Sequence, residues 1–223
     1  MSFFLMSHMG CSRLLLKLLL VKRLGLVNIF RVVRHRLRLR IKSYERACPG
    51  ASGPVEPMGF WLHGKARAAS GINHPLQVEA LKRADEIVSG WFRRFEDDLI
   101  FEGKDPEWHK LDYVSSKGVH FSHVKLNQAP GSDVKLCWDL SRFKWLTQLA
   151  IAAVLSPDED KRQQYQDRSN ELLHSWVTHN GYFRGVNWAC GQEVSIRGLH
   201  LMVSTLIFEA HFNSRPAEGL LML

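Results

Sequence analysis

The helical character of this chain is clearest in residues 134–156, which read VKLCWDLSRFKWLTQLAIAAVLS. Apolar side chains recur there at helical spacing and form one stripe, made of Leu136, Leu140, Phe143, Ala150 and Val154. Asp133 stands in the N-cap position, where its carboxylate can accept a hydrogen bond from a free backbone N–H. We therefore predict one helix that ends before Ser156 and Pro157.

Similar patterns stand on both sides of this stretch. Residues 158–180 begin with acids, become apolar near Trp176, and stop at Asn180-Gly181, a pair typical of a helix end; Pro157 suits the first turn. A third pattern, GVNWACGQEVSIRGLHLM (185–202), runs on to about His211, and residues 76–90 form a fourth. Helices of this length with short links predict an all-α stack of antiparallel helices.

The third pattern carries charge on a helix that otherwise resembles a buried one. Glu193, Arg197 and His200 stand at positions i, i+4 and i+7, and so share one face. One interpretation is an ion pair on an ordinary exposed face. The other is a polar stripe that lines a cleft, with Asn187 at its edge. Spacing alone favours the first, because pairs four residues apart are common on ordinary helices.

The positive charge of the chain is confined to its start. Residues 1–50 hold 11 of the 30 Lys and Arg residues and a single acid, Glu45, which gives +10. The rest holds 19 basic and 21 acidic residues, which gives −2, so the net charge is +8. A nucleic-acid interface over the whole protein therefore loses its support. Nucleic-acid binding through residues 31–46 alone stays as a minor alternative.

The basic N-terminal segment admits several interpretations. A membrane-spanning helix needs ~20 mostly apolar residues, and Lys17, Lys22 and Arg23 interrupt the run. The first twelve residues contain no Lys or Arg, so an export signal is not expected either. The remaining interpretation is a pair of basic amphipathic helices, broken at Gly25, that packs against the body or lies on an anionic membrane surface. Packing is slightly favoured, and the predicted location is cytoplasmic or peripheral to the inner membrane.

Composition and turn signals divide the chain into three predicted parts. Residues 1–46 are the basic helices, 47–75 a Pro/Gly-rich linker, and 76–223 the helical domain, with short strands or irregular structure expected after residue 90, around Asp105-Pro106. Phosphate-binding glycine loops and zinc-binding histidine motifs do not occur, and the four cysteines are widely spaced. We therefore expect no cofactor and no metal.

Four stretches together resemble a known family. They are RVVRHRLRLR (31–40), LCWDLSRFKWLTQLA (136–150), LLHSWVTHN (172–180) and GVNWACGQEVSIRGLHLM (185–202). In this order and spacing they resemble the N-terminal region of the heparinase II/III-like polysaccharide lyases. The signature is a W-[DE]-L-S-R-F helix, a W-x-x-x-N helix end, and an [NH]-W-x-x-x-x-E-[VA]-x-x-R helix.

The resemblance implies a fold and a reaction. The fold is an incomplete (α/α) toroid of antiparallel helical hairpins, here without the β-sandwich that follows in full-length members. The reaction is cleavage of acidic, uronate-containing polysaccharides by β-elimination. Removing the C5 proton of a uronate places charge on the adjacent carboxylate, and a neutral amide donor aimed at that carboxylate stabilises it.

The resemblance also implies site residues. Asn187 matches a catalytic Asn or His that contacts the uronate carboxylate, and the implied substrate-binding residues are Arg142, Trp188, Glu193 and Arg197. Glu193 and Arg197 would also hold the third helix against the WDLSRF helix, through an Arg142–Glu193 or an Asp139–Arg197 bridge.

One departure from the family decides the expected activity. The tyrosine base and catalytic histidine of the family come later than the matched region, and no tyrosine follows Tyr182. We therefore expect an N-terminal piece of a lyase that is inactive alone and poorly soluble, with the apolar flank of its last helix exposed. The alternative is a non-catalytic module of surface-polysaccharide assembly, held at the membrane surface by its basic N-terminus.

Overall fold

The structure is a computed structural model that describes residues 25–50, 74–95, 98–109, 116–126 and 133–212. The chain divides into two compact units, Met1–Pro49 and Gly50–Leu223. The described residues are mostly helical and include one small two-stranded sheet, which agrees with the all-α prediction at the level of secondary structure. Most of the predicted linker, 47–75, lies outside the described residues.

The first unit contains two helices that follow each other closely. The described part of helix α1 covers residues 25–40, and helix α2 covers Ser43–Ala47. Lys42 has a left-handed backbone conformation, with φ of 53°, and this conformation turns the chain between the two helices. The Nδ1 atom of His35 lies 2.8 Å from the hydroxyl oxygen of Tyr44, so a side-chain hydrogen bond ties the helices together.

The second unit is a stack of helices with one hairpin. Its elements are α3 (His74–Val88), β1 (Trp91–Arg94), β2 (Asp98–Phe101), a 3₁₀ turn (Phe121–His123), α4 (Val134–Leu140), α5 (Lys144–Leu155), α6 (Glu159–His179), a second 3₁₀ turn (Val186–Trp188) and α7 (Gly191–Phe212). The strands pair antiparallel, with Trp91 opposite Phe101 and Arg94 opposite Asp98. The stretch after residue 90 thus contains short strands, one of the two outcomes expected for it, and residues 102–109 form neither helix nor strand.

Helix α5 is the centre of this unit. It packs against α3, α6 and α7, and most of its side chains are buried because neighbours cover it on several sides. Its alanines allow close approach, and large side chains of the surrounding helices join the same core: Ile87, Leu172, Trp176, Leu201 and Phe208. Burial of this apolar surface is the main stabilising contribution to the stack.

The single helix predicted over 134–155 is wrong in one respect. Asp133 caps it as expected, accepting a hydrogen bond from the backbone N–H of Lys135, but the helix breaks after Leu140. Phe143 is left-handed, with φ of 65° and ψ of 22°, and α5 begins after it. The break turns the ring of Phe143 into the core, where it meets Trp176 edge-on at 4.9 Å between ring centroids. Apolar periodicity continues across the break, so the sequence pattern does not reveal where the helix is interrupted.

The later helix boundaries also differ in detail from the prediction. Asp158 is the N-cap of α6, because its carboxylate accepts hydrogen bonds from the backbone N–H groups of Asp160 and Lys161. Pro157 therefore lies before the helix and not in its first turn. Asn180 ends α6 as predicted. Asn187 and Trp188 do not open α7 but lie in the 3₁₀ turn before it, which follows Gly185 at φ of 85° and ψ of 178°.

Helix α7 keeps an apolar face in solvent. Leu199, Met202, Val203 and Leu206 are between 41% and 57% exposed, which confirms the predicted exposed flank. Among the described residues, no helix combines the length and the apolar character that crossing a bilayer requires.

Candidate functional site

The three helical segments that carry the family resemblance meet at one place. We call this cluster the joint, and its residues are Asp139, Ser141, Arg142, Phe143, Trp176, Asn180, Asn187, Trp188, Glu193 and Arg197. All of them are buried except Arg142, which is half-buried. The joint connects the corner between α4 and α5, the end of α6, the 3₁₀ turn and the start of α7. It contains every site residue predicted from the sequence.

Arg142 and Glu193 form the outer ion pair of the joint. The Arg142 Nε and Nη2 atoms each donate to one carboxylate oxygen of Glu193, both over 2.7 Å. Their side chains are 22% and 6% exposed, respectively. This two-point contact raises the pKa of Arg142, chiefly through the hydrogen bond to Glu193. The predicted Arg142–Glu193 bridge is thus confirmed.

The other predicted bridge, between Asp139 and Arg197, is not formed, because Asp139 bonds to different partners. Its carboxylate accepts from Lys144 Nζ over 2.8 Å, from Arg142 Nη1 over 3.2 Å and from the backbone N–H of Phe95 over 3.0 Å. These three donors satisfy a carboxylate whose side chain is 1% exposed. The predicted Asp139–Arg197 bridge is therefore replaced by contacts within the α4–α5 corner and with the hairpin.

Arg197 is a charged group held among aromatic rings. Its guanidinium carbon lies 4.7 Å from the ring centroid of Trp176 and 5.4 Å from that of Trp188. Its Nη2 donates to the carbonyl of Asn187 over 2.7 Å, and its Nη1 lies 3.4 Å from the carbonyl of Ser141. Burial lowers the pKa of Arg197 to about 10, so the group stays charged at neutral pH.

Asn187 is fully buried, which corrects the expectation that it stands at the edge of a cleft. Its exposure is 0%, and its Nδ2 donates to Asn180 Oδ1 over 2.7 Å. The thiol of Cys137 lies 3.9 Å from its Oδ1. Asn180 in turn donates Nδ2–H to the carbonyl of Trp176 over 2.9 Å. The amide of Asn187 thus links the end of α6 to the 3₁₀ turn, and a ligand reaches it only if that turn opens.

Trp188 is also held inside the joint. It is 7% exposed, and its ring meets Tyr182 and Trp176 at centroid distances of 5.1 Å and 6.1 Å. Its Nε1 lies 3.4 Å from the carbonyl of Asn180. The faces of the indole are therefore occupied by protein rings rather than offered to a sugar.

The polar face of α7 matches neither of the two sequence interpretations in full. Glu193 and Arg197 are 4% and 5% exposed, so they form no surface ion pair. Each of them is instead bonded to the α4–α5 corner. This face holds α7 against the corner in a fixed register. Its last member, His200, is half-buried and continues the contact, with Nδ1 at 2.9 Å from Thr147 Oγ1 on α5.

Three basic side chains reach solvent where the joint ends. We call Arg142, Lys144 and His200 the cationic edge. The side chains of Arg142 and Lys144 are 22% and 33% exposed, whereas those of Asp139 and Glu193 beneath them are 1% and 6% exposed. The pKa of His200 is lowered by burial first and then by repulsion from Lys144 and Arg142. The edge therefore presents the solvent-facing ends of two cations, whose charges are balanced by the buried carboxylates of Asp139 and Glu193, beside one neutral imidazole.

Sequence reasoning missed the roles of Lys144, Ser141 and Asn180. Asn180 was identified only as a helix end, although it stands four residues after Trp176 and seven before Asn187. The first spacing signals a shared neighbourhood, since a residue four positions away lies on the same helix face. The second spacing crosses the end of α6 and carries no such signal. Lys144 carried no periodic signal, because the helix break that positions it was not predicted.

The described residues offer limited material for other chemistry. Within them, no group of three or more His, Cys, Asp or Glu side chains is placed to hold a metal ion. Tyr165 donates its hydroxyl to Asp85 over 2.9 Å, and its pKa is raised by burial first and then by that hydrogen bond. Tyr165 is therefore a poor proton acceptor at neutral pH.

No protein-family model, no curated protein and no solved structure is found to match the chain.

Proposed function

We propose that the chain is the helical N-terminal part of a polysaccharide lyase of the heparinase II/III-like type. Its substrates would be uronate-containing glycans, cleaved by β-elimination. In this proposal α5, α6 and α7 belong to successive hairpins of an incomplete (α/α) toroid. One fold hosts many functions, so the site rather than the fold supports the proposal.

The observation that carries the proposal is the joint. Its residues come from three separate motif segments, and they form one network of hydrogen bonds, an ion pair and ring contacts. Consecutive helices of one unit pack together in any case, so the support lies in the signature residues, which bond to one another rather than to solvent. Their convergence supports treating the three motifs as one module, as the resemblance implies.

We place the substrate contact at the cationic edge rather than at Asn187. A uronate carboxylate is a planar anion that Arg and Lys side chains bind through charge-assisted hydrogen bonds. Lys144 and Arg142 reach solvent, whereas Asn187 is 0% exposed and bonded to Asn180. Asn187 then acts as a positioning residue, because it fixes the turn that leads into α7.

The edge supplies charge stabilisation but no base. When the C5 proton leaves, negative charge grows on the uronate carboxylate, and cations close to it lower the barrier. The proton acceptor of the family is a tyrosine, and no tyrosine of the chain is assigned to that role. We therefore expect this chain to bind acidic glycans without forming unsaturated uronate.

Calorimetric titration of the full chain with a panel of acidic oligosaccharides tests the proposal. The panel contains heparan sulfate, chondroitin sulfate, hyaluronan and alginate fragments. At least one is expected to bind, and Lys144→Gln is expected to weaken that binding roughly tenfold, the loss of one charge-assisted hydrogen bond. Lys135→Gln, at an exposed lysine of α4, is the matched control and should bind as the wild type does. If no glycan binds, or if both variants lose affinity equally, the proposal fails.

A further inference from the structure

Helix α1 carries an apolar stripe that faces solvent. With about 100° between successive residues, Leu26, Phe30, Val33 and Leu37 fall within an arc of about 60°. Their exposures are 80%, 66%, 56% and 56%, values at which a side chain gains little from burial in the protein.

Arginines border the stripe on both sides. Arg34 and Arg38 follow one side of it, and Arg36 and Arg40 follow the other. All four arginines are exposed, and residues 25–44 contain no Asp or Glu. A helix with an apolar face, basic flanks and no acids has the pattern of helices that lie in the interface of a lipid bilayer.

We propose that α1 binds the surface of an anionic lipid bilayer, with its axis parallel to the membrane plane. The stripe enters the boundary between headgroups and acyl chains, and the arginines extend outward to the lipid phosphates. Long basic side chains do this readily, because their apolar stems stay in the boundary while the charged ends reach the headgroups. This inference does not depend on the proposed function, since none of the residues that define the joint belongs to α1.

The stripe is what favours lipid over nucleic acid. Five arginines on α1 would attract either polyanion. A phosphate backbone, however, gives no burial to Leu26, Phe30, Val33 and Leu37, whereas a bilayer removes all four from water. The hydrogen bond between His35 and Tyr44 fixes the end of α1 against α2 and does not occupy the stripe.

Co-sedimentation of the full chain with lipid vesicles tests this proposal. The vesicles contain phosphatidylcholine alone or phosphatidylcholine with phosphatidylglycerol. We expect binding to the anionic vesicles and much less to the neutral ones. The charge variant Arg34→Gln/Arg38→Gln should bind roughly thirtyfold more weakly, since each basic residue near the surface contributes about a factor of five to six. Raised salt should weaken wild-type binding, because salt screens the lipid charge.

A second pair of variants tests the stripe itself. Phe30→Ser/Leu37→Ser should lose at least tenfold in vesicle affinity, whereas the matched control Val32→Ser/Leu39→Ser, on the opposite side of α1, should keep it. Phe30, Leu37 and Val32 are exposed and Leu39 is half-buried, and far-ultraviolet circular dichroism should show the same fold for all variants. Equal binding of the two double variants would overturn the proposal. Binding to single-stranded RNA that exceeds vesicle binding and survives Phe30→Ser/Leu37→Ser would overturn it in favour of nucleic acid.

Discussion

Arg197 shows how the joint makes a buried charge tolerable. Its guanidinium has two carbonyl acceptors and lies over aromatic rings, so its hydrogens point at oxygen and its faces at π-electron density. Guanidinium is more weakly hydrated than an ammonium, which makes arginine the suitable cation for this position. Burial lowers the pKa of Arg197, and the negative charge of Glu193 opposes that shift.

His200 makes the stability of the joint dependent on pH. Its pKa in the folded chain is below the ordinary value of 6.5, because burial and the nearby Lys144 and Arg142 disfavour the charged imidazole. Below pH 6.5 the unfolded chain takes up a proton that the folded chain resists, so unfolding becomes easier. The stability linked to His200 is thus present above pH 6.5 and is lost as the pH falls toward the folded-state pKa.

The variant His200→Gln should remove this part of the pH dependence. Urea unfolding at a series of pH values between neutrality and about pH 5 measures it. We expect the free energy of unfolding of the wild type to fall more steeply with acidification than that of the variant. A parallel decline in both proteins would show that His200 is not the group responsible.

Among the elements, the turn between α6 and α7 depends on a single glycine. Gly185 has φ of 85° and ψ of 178°, a region that side-chain-bearing residues avoid. A methyl group there would also lie 3.3 Å from Cε1 of His109. Gly185→Ala is therefore expected to destabilise the chain by about 1–3 kcal/mol.

Gly198 provides the matched control for that substitution. It lies inside α7, and a methyl group added there has no heavy atom within 4 Å. Gly198→Ala should stabilise the chain by about 0.5–1 kcal/mol, because alanine loses less backbone entropy in a helix than glycine. Guanidinium unfolding of both variants checks the pair, and destabilisation of equal size would contradict the assigned role of Gly185.

Elements were predictable from the sequence wherever the local signal is strong. Asp133 as a cap and the helix that ends at Asn180 follow from spacing and turn residues, and the structure has them. For the stretch after residue 90 the sequence leaves short strands and irregular structure as alternatives, and the structure forms a hairpin there. The break at Phe143 was not predictable, because tertiary contacts with Trp176 hold that left-handed residue. The Arg142–Glu193 pair was predicted through the family resemblance, whereas the burial of Asn187 depends on the packing of three elements.

At the scale of the whole molecule, the charge distribution separates two surfaces with different expected partners. Residues 1–50 carry +10, and α1 displays its arginines beside an apolar stripe. The rest of the chain carries −2, and its cationic edge is a local feature built above buried acids. The glycan binding proposed above would draw on either surface, so affinity alone does not locate the glycan site.

The central claim is that uronate binds at the cationic edge of the joint. Its most direct test is a nuclear magnetic resonance titration of the isotope-labelled chain with the uronate oligosaccharide that binds in calorimetry. The predicted result is a set of saturable amide shifts centred on Arg142, Lys144 and His200, lost in Lys144→Gln. Shifts confined to the arginines of α1, with the edge unchanged, would contradict the claim and leave the joint a purely structural contact between helices.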